Sequence, residues 1–125
     1  MPGPFSNATA VQLTADGQWL GSIQPGWDIA GDANGGYLLA MAARALVGAT
    51  RRPDPITVTA HYLAPGRTGE VHIVTRVLKR AKRFATATAT VSSGARPLLA
   101  VLGTLGHLAQ LEGPELVDGA PPEIP

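Results

Sequence analysis

The longest apolar stretch of the chain is the run over residues 38–47, which only Arg44 interrupts. A helix on the surface of a domain shows a polar face, so this run predicts a helix that other structure encloses. Residues 32–37, Asp-Ala-Asn-Gly-Gly-Tyr, lead into it. Either Asp32 or Asn34 could cap its N-terminus, because both side chains can accept hydrogen bonds from the first free N–H groups.

The helix is expected to end near Gly48, and a loop over residues 49–55 follows, with prolines at its end. Apolar and polar residues then alternate with the period of a β-strand. This pattern predicts an antiparallel meander of four consecutive strands, over residues 56–63, 70–78, 84–91 and 98–105. The third of them has the cleanest alternation, with Ala and Val on one face and Thr on the other, and a face of alanines lets a helix lie close.

Two shorter strands are predicted before the helix, over residues 8–13 and 19–23, joined by a turn at Asp16. A loop through Trp27 and Asp28 connects them to the helix. Two strands, a buried helix and four strands indicate an α+β fold, in which one antiparallel sheet of about five to six strands curls around the helix. We expect a single domain over residues 1–112, followed by a Pro-rich tail or linker over residues 113–125.

Composition narrows the range of functions. The net charge of +1 argues against broad nucleic-acid binding, although five of the ten basic residues lie within residues 76–83. Without cysteine there is no disulfide and no thiolate chemistry, and we predict neither a metal site nor a cofactor. The N-terminus lacks the features of a signal peptide, and no apolar run is long enough to span a membrane, which predicts a cytoplasmic protein.

Three segments, taken in order, resemble the acyl-CoA thioesterases of the hotdog fold. They are residues 34–37 at the start of the helix, residues 61–66 at a strand end, and residues 77–84 before the alternating strand. The resemblance covers about residues 18–106 and is strongest to the N-terminal module of the two-module thioesterase II-like branch. It implies a helix wrapped by a sheet, and an acyl-CoA bound where two modules meet, with its thioester hydrolysed by an activated water.

The resemblance also implies a second module, because the tail at residues 121–125 looks like the start of a linker. Either the chain is a fragment of a two-module protein, or two copies pair to replace the fused form. The expected partners are therefore an acyl-CoA, a second copy in a homodimer or higher homo-oligomer, and a second hotdog module as the alternative. Nucleic acid is not expected.

The start of the helix supplies most of the candidate site. Backbone N–H groups of Gly35, Gly36 and Tyr37 lie at the positive end of the helix dipole and could polarise a thioester carbonyl. Asn34 could hold substrate or water, or it could only cap the helix. Asp32 is the best placed carboxylate for positioning water. The alternative is that the glycines only permit a tight loop. We take Asp32, Asn34 and Gly36 as candidate catalytic residues, and Gly35 and Tyr37 as candidate substrate contacts.

The catalytic base is the weak point of this hypothesis. Single-module hotdog thioesterases often carry an Asp or Glu about two turns beyond the glycines, but residues 39–44 contain no carboxylate. Asp28 and Asp32 are the acids that remain near the loop, and either could serve if the loop folds over the tunnel, but a solvated or helix-capping role is the better explanation of both. Two-module relatives carry the catalytic Asp in the second module, so this half would help to form the tunnel without necessarily being the catalyst.

The remaining candidate substrate contacts are His61 and three cations, Arg80, Lys82 and Arg83. The cations could bind the phosphates of CoA at a strand turn, or they could form a solvated hairpin. His61 and Tyr62 are adjacent in a strand, so one should face the helix and the other should face outward. Two rival functions stay open: a noncatalytic acyl-CoA-binding or assembly module, and a hotdog hydratase or dehydratase, which would need a histidine beside an acid.

Overall fold

Six antiparallel strands form one sheet that packs against a single long helix in this computed structural model. The structure describes residues 3–110, 119 and 122–124, so most of the predicted tail lies outside the described residues. The elements, in chain order, are α1 Pro4–Ala8, β1 Gln12–Leu13, β2 Trp19–Ile23, β3 Asp28–Ile29, β4 Asp32–Ala33, α2 Gly35–Thr50, β5 Asp54–Tyr62, β6 Gly69–Arg80, β7 Ala85–Ser93, β8 Arg96–Gly106 and a 3-10 turn at Leu108–Gln110.

The order of strands in the sheet is β1-β2-β6-β7-β8-β5, with a separate two-stranded hairpin formed by β3 and β4. Every neighbouring pair is antiparallel. The predicted α+β arrangement is therefore confirmed, but the predicted meander is wrong at its first strand. β5 does not pair with β6, because the connection over residues 63–68 crosses the end of α2 and leaves β5 at the far edge beside β8.

The core lies between α2 and the inner face of the sheet. The alternation predicted for β7 is confirmed: its alanines and Val91 are buried, and its threonines face the other side. Small side chains on β7 allow the helix to approach closely, and α2 packs into this surface with Leu38, Met41, Ala42, Ala45 and Leu46.

The helix is longer and less enclosed than the sequence predicts. It runs past Gly48 to Thr50 and ends at Arg51, whose backbone adopts the left-handed conformation that closes many helices. The Thr50 hydroxyl donates to the Leu46 carbonyl within the last turn. Arg44 and Gly48 are exposed, so α2 is not enclosed on every side as the apolar run predicts.

The strand predicted over residues 8–13 is confirmed only at its end, in β1. Before it the chain forms the short helix α1, whose last turn is closed by the Thr9 hydroxyl donating to the Phe5 carbonyl. Arg44, the single charge in the apolar run, donates to the Ser6 carbonyl and to the Thr9 hydroxyl. The interruption of the apolar pattern therefore marks the place where the N-terminal segment attaches to α2.

Candidate functional site

A cleft of about 390 Å³ opens at the N-terminus of α2. One wall comes from the helix start and from β4, and the other comes from the end of β5 and the turn that follows it. Its lining residues are Ala33, Gly35, Leu38, Tyr62, Leu63, Ala64, Pro65 and Gly66. Two of the three segments singled out in the sequence, residues 34–37 and 61–66, thus meet at one place in the fold. The Ala33 N–H donates to the Gly66 carbonyl (2.8 Å) and joins the two walls.

Asn34 is the cap of α2. Its Oδ1 accepts hydrogen bonds from the N–H groups of Gly36 (2.9 Å) and Tyr37 (3.4 Å), and its carbonyl accepts one from Leu38 (3.2 Å). A helix begins with N–H groups that have no partner within the helix, and Asn34 takes two of them. Within the described part of the chain, no acceptor is found for the N–H of Gly35, which also lines the cleft. It is therefore the donor at the helix start that is best placed to receive a ligand oxygen.

Replacing Asn34 with Ala is expected to lower the free energy of unfolding by about 1 kcal/mol, because the Gly36 and Tyr37 N–H groups lose their acceptor. Asn34→Asp keeps an oxygen in place and adds a negative charge at the positive end of the helix, so its stability should match or exceed that of the original chain. Urea denaturation of the two variants checks this. Equal stability losses in both would show that the side chain does not act as a cap.

Gly35 and Tyr62 are in direct contact across the cleft. The Tyr62 hydroxyl donates to the Gly35 carbonyl (2.9 Å), and a Cβ built on Gly35 would lie 3.0–3.2 Å from atoms of the Tyr62 side chain. The missing side chain of Gly35 is therefore what allows the ring to lie against the helix. The sequence left open whether His61 or Tyr62 faces the helix. The apolar residues Val58 and Ala60 share the face of Tyr62 in the two-residue period, and this signal could have identified it.

Tyr37 has a buried side chain, only 2% exposed, that does not line the cleft. Its hydroxyl accepts from the Gln24 N–H (2.9 Å) and lies within donating distance of the carbonyls of Ala8 (2.8 Å) and Ser22 (3.1 Å).

The Tyr37 ring also packs near the rings of Phe5 and Trp27. The side chain of Tyr37 thus joins the N-terminal segment, β2 and the helix start. Its backbone N–H, the group predicted to contact substrate, donates to Asn34.

The two candidate acids lie on the β3–β4 hairpin beside the cleft. Asp32 forms an ion pair with Arg67 (3.1 Å), and both side chains are about half exposed or more. Asp28 accepts hydrogen bonds from the N–H groups of Gly26 and Gly31 and so organises the turns of the loop. Ala30 at the hairpin tip and Gly31 both have positive φ, as a tight two-residue hairpin turn requires. Neither acid is among the residues that line the cleft.

The basic segment lies at the other end of α2. Arg80 donates to the carbonyls of Thr50 and Ala49 (3.4 Å to the latter), where a cation also complements the negative end of the helix dipole. A helix of 16 residues is about 24 Å long. Within one chain, the structure therefore does not bring the cations to Gly35. Lys82 and Arg83 are exposed, and together with His107 and Gln110 they line a separate pocket of about 190 Å³.

His61 points away from the cleft. It is exposed on the outer face of the sheet, where it lines a shallow groove with threonines of β5 and β7 and with Leu102. Because side chains alternate along a strand, placing Tyr62 against the helix places its neighbour outside. The structure thus separates His61 from Gly35 and from the basic segment, so the nine predicted catalytic and substrate-binding residues do not form one cluster within a single chain.

Comparison with protein families gives a match over residues 23–106 to the model described as the acyl-CoA thioesterase N-terminal domain. The chain belongs to this family. The matched range extends from the end of β2 to the end of β8 and so contains α2, the cleft and the basic segment. The resemblance to a thioesterase II-like N-terminal module is confirmed.

Solved structures place the thioesterase N-terminal domain among hotdog proteins. A candidate thioesterase II from Thermobifida fusca superposes with a TM-score of 0.89 at 25% identity, over 98% of this chain and 46% of that one. A hotdog-fold protein of unknown function from Alicyclobacillus acidocaldarius gives 0.82 at 19% identity, over 100% of this chain and 47% of that one. The predicted hotdog fold is thereby confirmed, and the chain spans about half the length of both proteins.

A protein from Bacillus halodurans whose structure contains CoA has the same fold, with a TM-score of 0.70 at 15% identity over 85% of this chain and 76% of that one. No functionally curated protein matches the chain. Within the described residues of this thioesterase N-terminal domain, there is no group of three side chains that could hold a metal ion. The same part of the chain has no helix that is long and apolar enough to cross a membrane.

Proposed function

We propose that this chain forms one half of an acyl-CoA thioesterase site, in which the cleft at the start of α2 holds the acyl thioester. The observation that carries the proposal is the meeting of Gly35 and the Tyr62–Gly66 segment around an apolar cleft. An acyl chain needs an apolar wall, and a thioester carbonyl needs a donor. The cleft offers both, since the N–H of Gly35 lies at the positive end of the helix dipole.

Hydrolysis requires water to add to the carbonyl carbon while the carbon–sulfur bond breaks and CoA leaves as a thiol. Negative charge develops on the carbonyl oxygen during this addition, and the Gly35 N–H would stabilise it. A base must take a proton from the water. The described helix contributes no acid, and Asp32 is held by Arg67. We therefore assign the base either to Asp32, once it is released from Arg67, or to a carboxylate of a second module. We keep Asn34 as a group that could hold the substrate or the attacking water.

The free edge of β5 suggests how a second module would complete the site. β5 pairs only with β8, and its other edge is open within the described residues. Two copies joined along this edge by a twofold axis would run antiparallel, so the Asp54 end of one strand would lie beside the Tyr62 end of the other. The basic end of the second module would then lie near the cleft of the first. Its Lys82 and Arg83 could bind CoA phosphates there, with Arg80 supporting the segment.

The comparisons support this proposal in three ways. The matching family is described as an acyl-CoA thioesterase domain, the Thermobifida protein is a candidate thioesterase II, and the Bacillus protein holds CoA in the same fold. We propose accordingly that the ligand is a hydrophobic acyl-CoA, that the module acts as a homodimer, higher homo-oligomer or half of a two-module protein, and that it works in the cytoplasm in lipid metabolism.

A noncatalytic acyl-CoA-binding module is the second candidate. The observation that favours it is the absence of any carboxylate or histidine from the lining of the cleft, all of which lies in the described part of the chain. Such a module would bind its ligand without turnover. A hydratase or dehydratase has less support, because His61 lies on the outer face of the sheet, away from Gly35.

Binding of S-alkyl-CoA thioethers, which cannot be hydrolysed, tests the proposal directly. Calorimetry with the full chain should show binding, and the double variant Lys82→Glu/Arg83→Glu should weaken it about tenfold or more, because charge-assisted contacts to phosphate are lost. Arg76→Glu is the matched control, since Arg76 is also exposed but lies within β6, away from both the basic turn and the cleft. No binding by the original chain would contradict the proposal.

Turnover and assembly separate the two candidates. Release of free thiol from a series of acyl-CoAs would establish the thioesterase, and its loss in Asp32→Asn would identify Asp32 as the base. Thioether binding without any turnover would establish the binding module for this chain alone. Sedimentation at several concentrations should show a dimer or larger assembly, and a strict monomer that still turns over substrate would contradict a site completed by a second module.

A further inference from the structure

We propose that the ring of Tyr62 sets the width of the acyl cleft and so selects against branched or cyclic acyl groups. This inference rests on the proposed function, because it assumes that the cleft holds the acyl part of a CoA thioester. It assigns Tyr62 a role in specificity, separate from the candidate groups at the helix start.

The position of the ring is fixed even though 54% of the residue is exposed. An exposed tyrosine normally samples several rotamers, but here the ring edge lies against the Gly35 backbone, a contact that does not need the hydroxyl, and the hydroxyl adds one hydrogen bond to the Gly35 carbonyl. The edge of the ring that points toward the helix contacts Gly35. The rest of the ring faces the cleft and solvent. Tyr62 is therefore a fixed wall that a ligand meets, and a side chain that moved freely would not discriminate between ligands.

The rest of the lining explains why this wall decides the width. Five of the eight lining residues are Gly, Ala or Pro, whose side chains are small or absent. Besides Tyr62, the large lining residues are Leu38 and Leu63. Leu38 is 2% exposed and belongs to the floor, and Leu63 is 55% exposed and belongs to the rim. The floor is tight: a Cβ built on Gly66 would lie 3.1–3.4 Å from Ile23, Leu38 and Leu98. Removing the Tyr62 ring is thus the change that widens the cleft without opening the core.

The test measures how strongly each variant binds a cyclohexylmethyl-CoA thioether relative to a butyl-CoA thioether, with CoA itself as a reference ligand. In Tyr62→Ala the preference for the cyclic ligand should rise about tenfold or more, since a few extra apolar atoms in a pocket change affinity by that order. Affinity for CoA should not change. Tyr62→Phe keeps the wall and should hold the ratio within about threefold of the original chain. Leu102→Ala, on the outer face of the sheet, is the control for an exposed apolar residue.

The outcomes separate this inference from the proposed function. If the original chain binds both thioethers and Tyr62→Ala leaves their ratio unchanged, the inference is overturned and the proposed function stands. If Tyr62→Phe shifts the ratio as much as Tyr62→Ala does, the hydroxyl and not the ring is responsible, and the inference is overturned as well. If the original chain binds neither ligand, both fail. Tyr62→Leu, which retains apolar bulk without the flat ring, should give an intermediate ratio and guards against a folding defect in Tyr62→Ala.

Discussion

Replacing Tyr37 with Phe is expected to lower the free energy of unfolding by about 2 kcal/mol, although only one oxygen atom is removed. The Tyr37 hydroxyl accepts from the Gln24 N–H and has its one proton within reach of the carbonyls of Ala8 and Ser22. Phe would fill the same space but leave these groups without their partner in a site that is 2% exposed. Urea denaturation followed by far-UV circular dichroism measures the difference.

Tyr62→Phe is the matched control, because it removes the same atom from a tyrosine that is half exposed. Its hydroxyl makes one hydrogen bond, and water can replace that bond, so we expect a loss of about 0.5 kcal/mol. Equal losses in the two variants would contradict the role given to Tyr37. Tyr37→Phe also keeps the backbone N–H that the sequence proposed as a substrate contact. Once folded, this variant should therefore bind S-alkyl-CoA as the original chain does.

The elements that the sequence predicted well are those whose burial repeats with a regular period. The alternating alanines and threonines of β7 identify both its faces, and the apolar run within α2 identifies the helix that packs on the alanine face. Both patterns are local, since each residue's environment follows from its position in one strand or one helix. The boundaries differ from the predicted ones by up to three residues. At the end of α2 the chain contacts another element, since Arg80 donates to the Thr50 carbonyl, and the local pattern does not contain such contacts.

The place of β5 in the sheet could not be predicted in the same way. Its alternation shows that it is a strand with one half-buried face, but periodicity does not say which strand lies beside it. That choice depends on the path of residues 63–68, where the N–H groups of Leu63 and Ala64 donate to the Leu98 carbonyl. The connection thereby holds the end of β5 beside β8. This crossing also builds the cleft, so the feature that the pattern missed is the one on which the proposed site depends.

The same limit applies to the candidate residues: the sequence suggests which residue types could act, but it does not say where the fold places them. Residue type suggested a cap at Asp32 or Asn34, and only the geometry distinguishes them: Asn34 reaches the helix N–H groups and Asp32 pairs with Arg67. The basic segment follows the cleft residues in the chain, but β6 runs the length of the sheet and carries Arg80 to the opposite end of α2. Within one chain the two groups therefore lie at opposite ends of α2, and this separation follows from the fold and could not be drawn from the spacing of the motifs.

Replacing Gly48 with Ala is expected to lower the free energy of unfolding by about 2 kcal/mol, although Ala is normally the better residue in a helix. The indole of Trp19 lies directly on Gly48, and a Cβ built there would be 2.3 Å from the nearest ring atom. The ring cannot move away without loss, because its Nε1 donates to the Thr75 hydroxyl (3.2 Å) on β6. Gly48 thus allows β2 to cover the last turns of α2.

A double-mutant cycle with Trp19→Ala tests this prediction, because the effect of Gly48→Ala on the free energy of unfolding should change sign when the indole is absent. Once the indole is gone, nothing opposes the added methyl group, and Gly48→Ala should then raise the free energy of unfolding by up to about 1 kcal/mol. Destabilisation of similar size in both backgrounds would show that the glycine is needed for backbone conformation and not for the contact. The coupling energy between the two positions, measured by urea denaturation of the four proteins, decides between these explanations.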